Sequence, residues 1–350
     1  MVSKTILAFL ATTTVLAACP ITTQAAEPDA LFSDDAILEV TMSAPFEQIM
    51  SERPEEDYVA GKFEFKSDDG ASHELDIGIR TRGEFRRRKD ICRFAPLRIN
   101  FKKSQLDATI FDKQDKLKLV THCQNGSDRY EQSVISEYLA YRILNIMTDV
   151  SFRVRLLHVN YVYTDSDNDS VETYAVMIEH KNRLAKRIEL PEKETPKILV
   201  GDMQAEYANV TSVYQFLIGN SDFSPVSNSP GASCCHNHVL FGLEEPPYWS
   251  IPFDFDQSGI VNAPHAVTNP RFNLRSVQQR IYRGRCLNGS VLPDTLDKYR
   301  AKRPDIEGLV SNQPGLTKSR RKIILNYIES FYKTINSPKR VDSQLVKACI

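Results

Sequence analysis

Three short stretches of the chain place oxygen-bearing side chains at the ends of apolar runs. LIGNSDF carries Asp222 just beyond a run of helical spacing, CCHNHVLF carries Asn237 at the entry to a strand-like run, and IPFDFDQSG leaves one through Asp254 and Asp256. Two aspartates and an asparagine brought together from converging loops form an all-oxygen set that suits Mg2+ or Mn2+. An acid left free of the metal can accept a proton from an attacking hydroxyl. Each residue also has a plainer use. Asp222 can cap a turn, Asn237 can satisfy backbone groups in a strand pair, and Asp254 and Asp256 can form Asx turns ahead of Gly259. For Asp256 the sequence leaves both a metal and backbone amides open as partners. Singly, the plainer uses suffice; in this order along one chain, the three stretches ask for chemistry.

The elements that must position them follow from periodicity. KFEFK and HELDIGIRTRG alternate with period two around the turn SDDGAS, and PLRINF and KLKLVTHC continue a sheet with Leu and Ile on one face and basic or amide side chains on the other. A strand is also expected at 36–42. Tyr130, Val134, Ile135, Leu139, Ile143 and Ile146 recur at helical spacing, which predicts a helix over about 129–147 with one buried face. VRLLHVNYVYT and VETYAVMIEH read as strands joined by DSDNDS, a solvated turn that lacks the glycine and glutamate of a calcium loop. Helical spacing returns over 205–218 and stops at Gly219-Asn220. The strands HVLFG and YWSIPFDF follow a loop rich in Ser, Pro and Asn, and one clear helix spans 319–335. This order predicts an α+β chain, with a sheet lobe followed by a helical one.

Composition narrows the class. The 350 residues are 41% hydrophobic and 25% charged with a net charge of −1, which suits a globular chain and argues against a broad nucleic-acid footprint. The local run Arg86-Arg87-Arg88-Lys89 can still meet a compact anion. Residues 1–26 read as a secretory leader: one lysine, an apolar stretch from Thr5 to Ala18, then small residues, too short to span a membrane permanently. Leu16-Ala17-Ala18-Cys19 has the form of a lipobox, which would acylate Cys19 and give the chain a lipid anchor; cleavage near Gln24-Ala25-Ala26 is the other reading. Setting Cys19 aside leaves six cysteines of the seven, an even number in a chain bound for an oxidising compartment. Cys92 and Cys123 flank one hairpin-like region and are the expected pair. Zinc on Cys234-Cys235-His236 with His238 is the weaker option, because adjacent cysteines are poor joint ligands.

The order of the motifs resembles the CotH (spore-coat protein H) kinase-like family of secretory atypical protein kinases, over most of the mature chain. IRTRGEFRR is similar to that family's arginine-and-glycine signature, LRINF and KLKLVTHC to its paired basic strands, and SVISEYLAYRIL to its following helix. TYAVMIEHKNRLAKR resembles its YxxxE strand, and LIGNSDF, HNHVLF and IPFDFDQSG its catalytic, asparagine and metal-aspartate segments. The resemblance implies one bilobal kinase-like domain over 27–350, with an antiparallel β-rich N-terminal lobe at about 36–180 and a mainly helical C-terminal lobe at about 181–340. It implies a secreted, periplasmic or envelope phosphotransferase that uses ATP with Mg2+ or Mn2+ on a hydroxyl of a protein, peptide or small molecule. Asp222 would then orient or deprotonate the acceptor, Asn237 would hold a second metal, and Asp254 the first. Asn228 is a rival for the asparagine role.

For the phosphate-contacting cation the family tends to carry lysine where this chain has Arg98; Lys116 or Lys118 on the next strand are substitutes sharing one face. Glu137 on the helix is the acidic partner expected for that cation, and Glu179 is expected near the hinge between lobes. Arg80 and Arg82 either reach phosphate or coat the sheet. Two other classes compete: a catalytically inactive kinase-like scaffold or binding protein of the cell envelope, and a metal-dependent nuclease built on His236-Asn237-His238. The second is weak, because alternate residues of any strand point the same way.

Overall fold

The protein is described by a computed structural model covering residues 25–67, 69–167 and 169–350. The expected leader with Cys19 lies outside the described residues, apart from Ala25 and Ala26. In chain order the first elements are β1 (Leu38–Ala44), α1 (Phe46–Glu52), β2 (Val59–Lys66), β3 (Ser72–Thr81), β4 (Leu97–Phe101) and β5 (Lys116–Val120). Then come α2 (Asp128–Met147), β6 (Val154–Tyr163), β7 (Ser170–Ile178), α3 (Lys181–Arg187) and α4 (Ala205–Ile218). The pair β8 (His238–Phe241) and β9 (Trp249–Pro252) precedes α5 (Leu292–Ala301), α6 (Arg303–Asn312) and α7 (Lys318–Ile335).

Among the described residues, seven strands close into a barrel in the order β1-β2-β3-β4-β5-β7-β6. Six neighbours pair antiparallel, but closure is parallel: β1 lies beside β6 with Leu38 opposite Leu157 and Ala44 opposite Tyr163. The bilobal kinase-like fold expected from the sequence, an antiparallel sheet lobe beside a helical lobe, is therefore overturned. Period-two alternation fixes which face of a strand is buried, yet it serves an open sheet and a barrel equally. The apolar faces meet inside the barrel, where Phe63, Phe65, Phe101, Phe111, Ile99 and Met177 fill the interior.

Helix α2 packs outside the barrel. Val134, Tyr138, Leu139 and Ile143 share a core with Val154, Leu156, Val176 and Ile178 of β6 and β7. Asp128 and Glu131 in its first turn complement the helix dipole. Helix α4 is buried on most of its circumference, as a central helix must be. It ends at Gly219 with φ 66°, where a Cβ would fall 2.0 Å from the Tyr327 hydroxyl. Only glycine fits that stop. Helices α5 and α6 each have proline in the first turn, Pro293 and Pro304, where the missing N–H costs nothing.

The exit of the barrel is clamped by a buried ion pair. The Arg187 guanidinium donates to both oxygens of Glu179, at 3.0 and 2.9 Å, and to the carbonyls of Asp149 and Ser151. Glu179 also accepts from the backbone N–H of Arg153 at 3.0 Å. Both side chains are 3% exposed or less, so removing either partner strands a charge out of water. Arg187→Ala should cost about 3–5 kcal/mol in denaturant unfolding. Arg187→Lys should not restore it, since a point charge cannot replace the fork. A loss below about 1 kcal/mol would assign the pair no structural role, being what exposed pairs give.

Candidate functional site

The left-handed stop at Gly219 turns the chain out of α4 into the loop that carries Asp222. Asn220, itself buried, accepts the Asp222 N–H at 2.9 Å through its side-chain oxygen. Arg283 and Asn269 donate to the carbonyl of Ser221, each at 3.1 Å, and pin the loop from outside. The three chemistry-bearing stretches are then joined by backbone bonds. Ser224 N–H donates to the His236 carbonyl and Phe253 N–H to the Asn237 carbonyl, each at 3.0 Å. The Asn237 amide donates to the Asp222 carbonyl at 2.7 Å and to its carboxylate at 3.1 Å, and His236 Nε2 lies 2.9 Å from the other carboxylate oxygen. Asn237 and Asp254 both sit at left-handed φ, 52° and 63°, which aspartate and asparagine tolerate better than other residues with a Cβ. Such outliers concentrate at functional sites.

These residues face a cleft of about 840 Å³ between the barrel mouth and the segment beyond α4, lined by Arg82, Arg86, Glu137, Asp222, Asn237 and Asp254, with Asp256. Among the described residues the Asp254 carboxylate accepts no hydrogen bond and makes no ion pair; its N–H donates to the Tyr141 hydroxyl at 2.8 Å. The Asn237 side-chain oxygen is likewise open. Asn228 also lines the cleft, but its amide is spent on the Ser233 carbonyl and its oxygen on the Ser229 N–H.

Asp256 is held by the protein: its carboxylate lies 3.1 Å from Nε2 of the buried His265 and 3.9 Å from Nη1 of Arg86. The same Arg86 nitrogen lies 3.9 Å from Glu137 Oε2, and the guanidinium also donates to the Thr121 carbonyl. The cation that meets the helix glutamate is therefore Arg86 rather than Arg98, Lys116 or Lys118. Three acids share this dry space. Burial, then Asp256 and Asp254, push the Glu137 carboxyl up to about 8. Burial and Asp256 also raise Asp254, against the opposing charges of Arg82, Lys118 and Arg86. Asp256 stays below the usual range despite burial, through the His265 hydrogen bond and the Arg86 charge. The hydrogen bond to Asp222 raises the His236 imidazolium.

The strand cations stand elsewhere. Arg80, Arg98 and Lys118 are direct cross-strand neighbours on the outer face of the barrel, and none of them lines the cleft. Arg80 donates to the Glu55 and Thr81 carbonyls and lies 5.3 Å from the Tyr58 ring centroid. Lys116 is exposed. Lys118 comes nearest to the site: its ammonium sits 4.2 Å from the Phe253 ring centroid, and burial followed by the Arg82 charge brings it down to about 7. Glu179 is spent on Arg187.

The two histidines of the HNH tripeptide part company. His236 is half-exposed beside Asp222, whereas His238 is buried against Ser250 and Gln215, because the left-handed Asn237 breaks the alternation. Cys234 and Cys235 are bonded to each other, so neither is a free thiolate for zinc in this state, and Cys92–Cys123 forms as expected alongside Cys286–Cys349. Arg86 and His265 are site residues to which sequence reasoning gives no role here, although the basic run around Arg86 gives a signal; His236 reads from sequence as a zinc or nuclease histidine, whereas it partners Asp222. Among known proteins, no family model matches the chain, and no curated protein does.

The raised Glu137 carboxyl has a sign. Its unfolded form ionises near 4.5 while the folded form holds the proton to about 8, so this group makes stability fall as pH rises through that window. Glu137→Gln keeps the shape without the charge. Its melting temperature should gain on the parent steadily from about pH 4.5 to 8. A gap that stays constant across that range would show Glu137 to be ionised throughout.

Proposed function

We propose that the chain is a metal-dependent phosphotransferase, moving a phosphoryl group from a nucleotide to a hydroxyl in the cleft. The observation that carries this reading is the Asp254 carboxylate, unpartnered and facing the cleft, beside an Asp222 oriented by Asn237 and His236. The residues fit a hard divalent cation: Asp254 and the open Asn237 oxygen are both oxygen donors. Among the described residues no three carboxylate or imidazole donors converge here within 4.8 Å, so phosphate oxygens would complete the coordination, as is usual for Mg2+. When bound, the cation would neutralise charge spreading over the transferred group.

The chain's own residues supply the rest. Asp222, fixed by two side-chain partners, would accept the proton of the attacking hydroxyl. Arg82 and Arg86 line the same cleft and offer fixed positive charge to phosphate oxygens. The wall from Phe253 to Tyr141 limits water around Asp254. The reading rests on this site and not on a kinase-like fold. The leader-like start of the sequence and the disulfides support an envelope or secreted location, with a lipid anchor on Cys19 if the lipobox reading holds. ATP is the proposed donor; the acceptor is a protein, peptide or small-molecule hydroxyl.

Labelled ATP with Mg2+ or Mn2+ should transfer label to the protein or an added acceptor. Asp222→Asn should slow transfer by roughly 10²–10⁴-fold while sparing the metal–nucleotide thermal shift. Asp254→Asn should abolish that shift. Nucleotide binding without transfer, indifferent to Asp222→Asn, would instead identify a binding protein.

A further inference from the structure

The buried wall behind Asp256 holds a second constellation. Both sulfurs of Cys92 and Cys123 and a ring nitrogen of His265 lie within 4.8 Å of one another. The His265 side chain is 5% exposed, and its Nε2 is taken by Asp256 at 3.1 Å. Its Nδ1 is buried and has no hydrogen-bond partner. A buried ring nitrogen left unpaired costs free energy unless something else engages it. A cavity of about 10 Å³, one water in size, adjoins Cys123 and His265.

Two sulfurs and an imidazole nitrogen whose other nitrogen is held by a carboxylate form a recognisable set. Zinc takes thiolate and imidazole ligands, and its histidines regularly bond a carboxylate through the free ring nitrogen. We propose that Cys92, Cys123 and His265 form a thiol-gated Zn2+ site, closed while the disulfide stands and opened by its reduction. A dithiol gives the disulfide two electrons and two protons, yielding two cysteine thiols and an oxidised dithiol. Zn2+ then displaces both thiol protons and binds two thiolates and the neutral Nδ1 of His265, with water in the fourth position. Nε2–H continues to donate to Asp256, so the ion sits one side chain behind the candidate site. This inference is independent of the proposed phosphoryl transfer.

The test uses the full chain, reduced with a phosphine and desalted without oxygen, with Zn2+ and Co2+ alone as probes. Reduced protein should bind one equivalent that the oxidised protein does not. Co2+ should show thiolate charge-transfer absorption with the strong visible bands of tetrahedral geometry. Cys92→Ser should remove that equivalent, whereas a Cys286→Ser/Cys349→Ser double variant should keep it. His265→Gln, which retains the cysteines, should weaken it and change the visible bands, and Asp256→Asn should lower affinity roughly 10–100-fold. The proposal fails if reduced parent and reduced Cys92→Ser bind alike, or if His265→Gln leaves the Co2+ spectrum unchanged.

Discussion

One guanidinium stands between two buried carboxyls from distant parts of the chain. Arg86 comes from the loop after β3, Glu137 from α2 and Asp256 from the segment after β9, and Arg86 reaches both acids at 3.9 Å. A third acid, Asp254, lies close enough to raise Glu137. Carboxylates crowded in a space of low dielectric repel strongly, and they remain together only where cations and hydrogen bonds offset the cost of leaving water. Arg86 and His265 satisfy Asp256, Glu137 keeps its proton, and Asp254 is left facing the cleft. That unequal sharing separates the roles of neighbouring acids in one pocket.

The rest of the fold serves this arrangement. The barrel gives the Arg86 loop a rigid base, α2 delivers Glu137 and Tyr141 from the barrel's outer wall, and the Gly219 stop delivers Asp222. The backbone bonds from Ser224 to His236 and from Phe253 to Asn237 then fix the three stretches in common register.

Much of this was legible in the sequence where the signal is local. The helical spacing from Tyr130 to Ile146, the stop at Gly219 and the alternation in HELDIGIRT each depend on neighbours a few residues away, and the elements fall there. Long-range pairing was not legible. Nothing in LEVTMSA announces that it must lie parallel to VRLLHVNYVY, and the family resemblance led to an antiparallel lobe in place of a barrel. The grouping of Asp222, Asn237 and Asp254 could be read because all three end apolar runs. The cation opposite Glu137 could not, since strand periodicity points to Arg98 and Lys118, and only the three-dimensional path of the loop after β3 brings Arg86 inward.

The parallel closure bears on how the chain acquires its shape. Strand β1 meets β2 across a short connection that holds α1, but its other edge waits for β6, and the register runs from Leu38–Leu157 to Ala44–Tyr163. Non-local pairing of this kind is slow, because a long loop must be ordered before any contact rewards it. Until then the chain presents an open strand edge bearing Leu38, Val40 and Met42, side chains that end in the barrel interior. An edge of that character is a template for another chain. The interval between the emergence of β1 and that of β6 is thus a stage of biogenesis at which this open edge is exposed to mispairing.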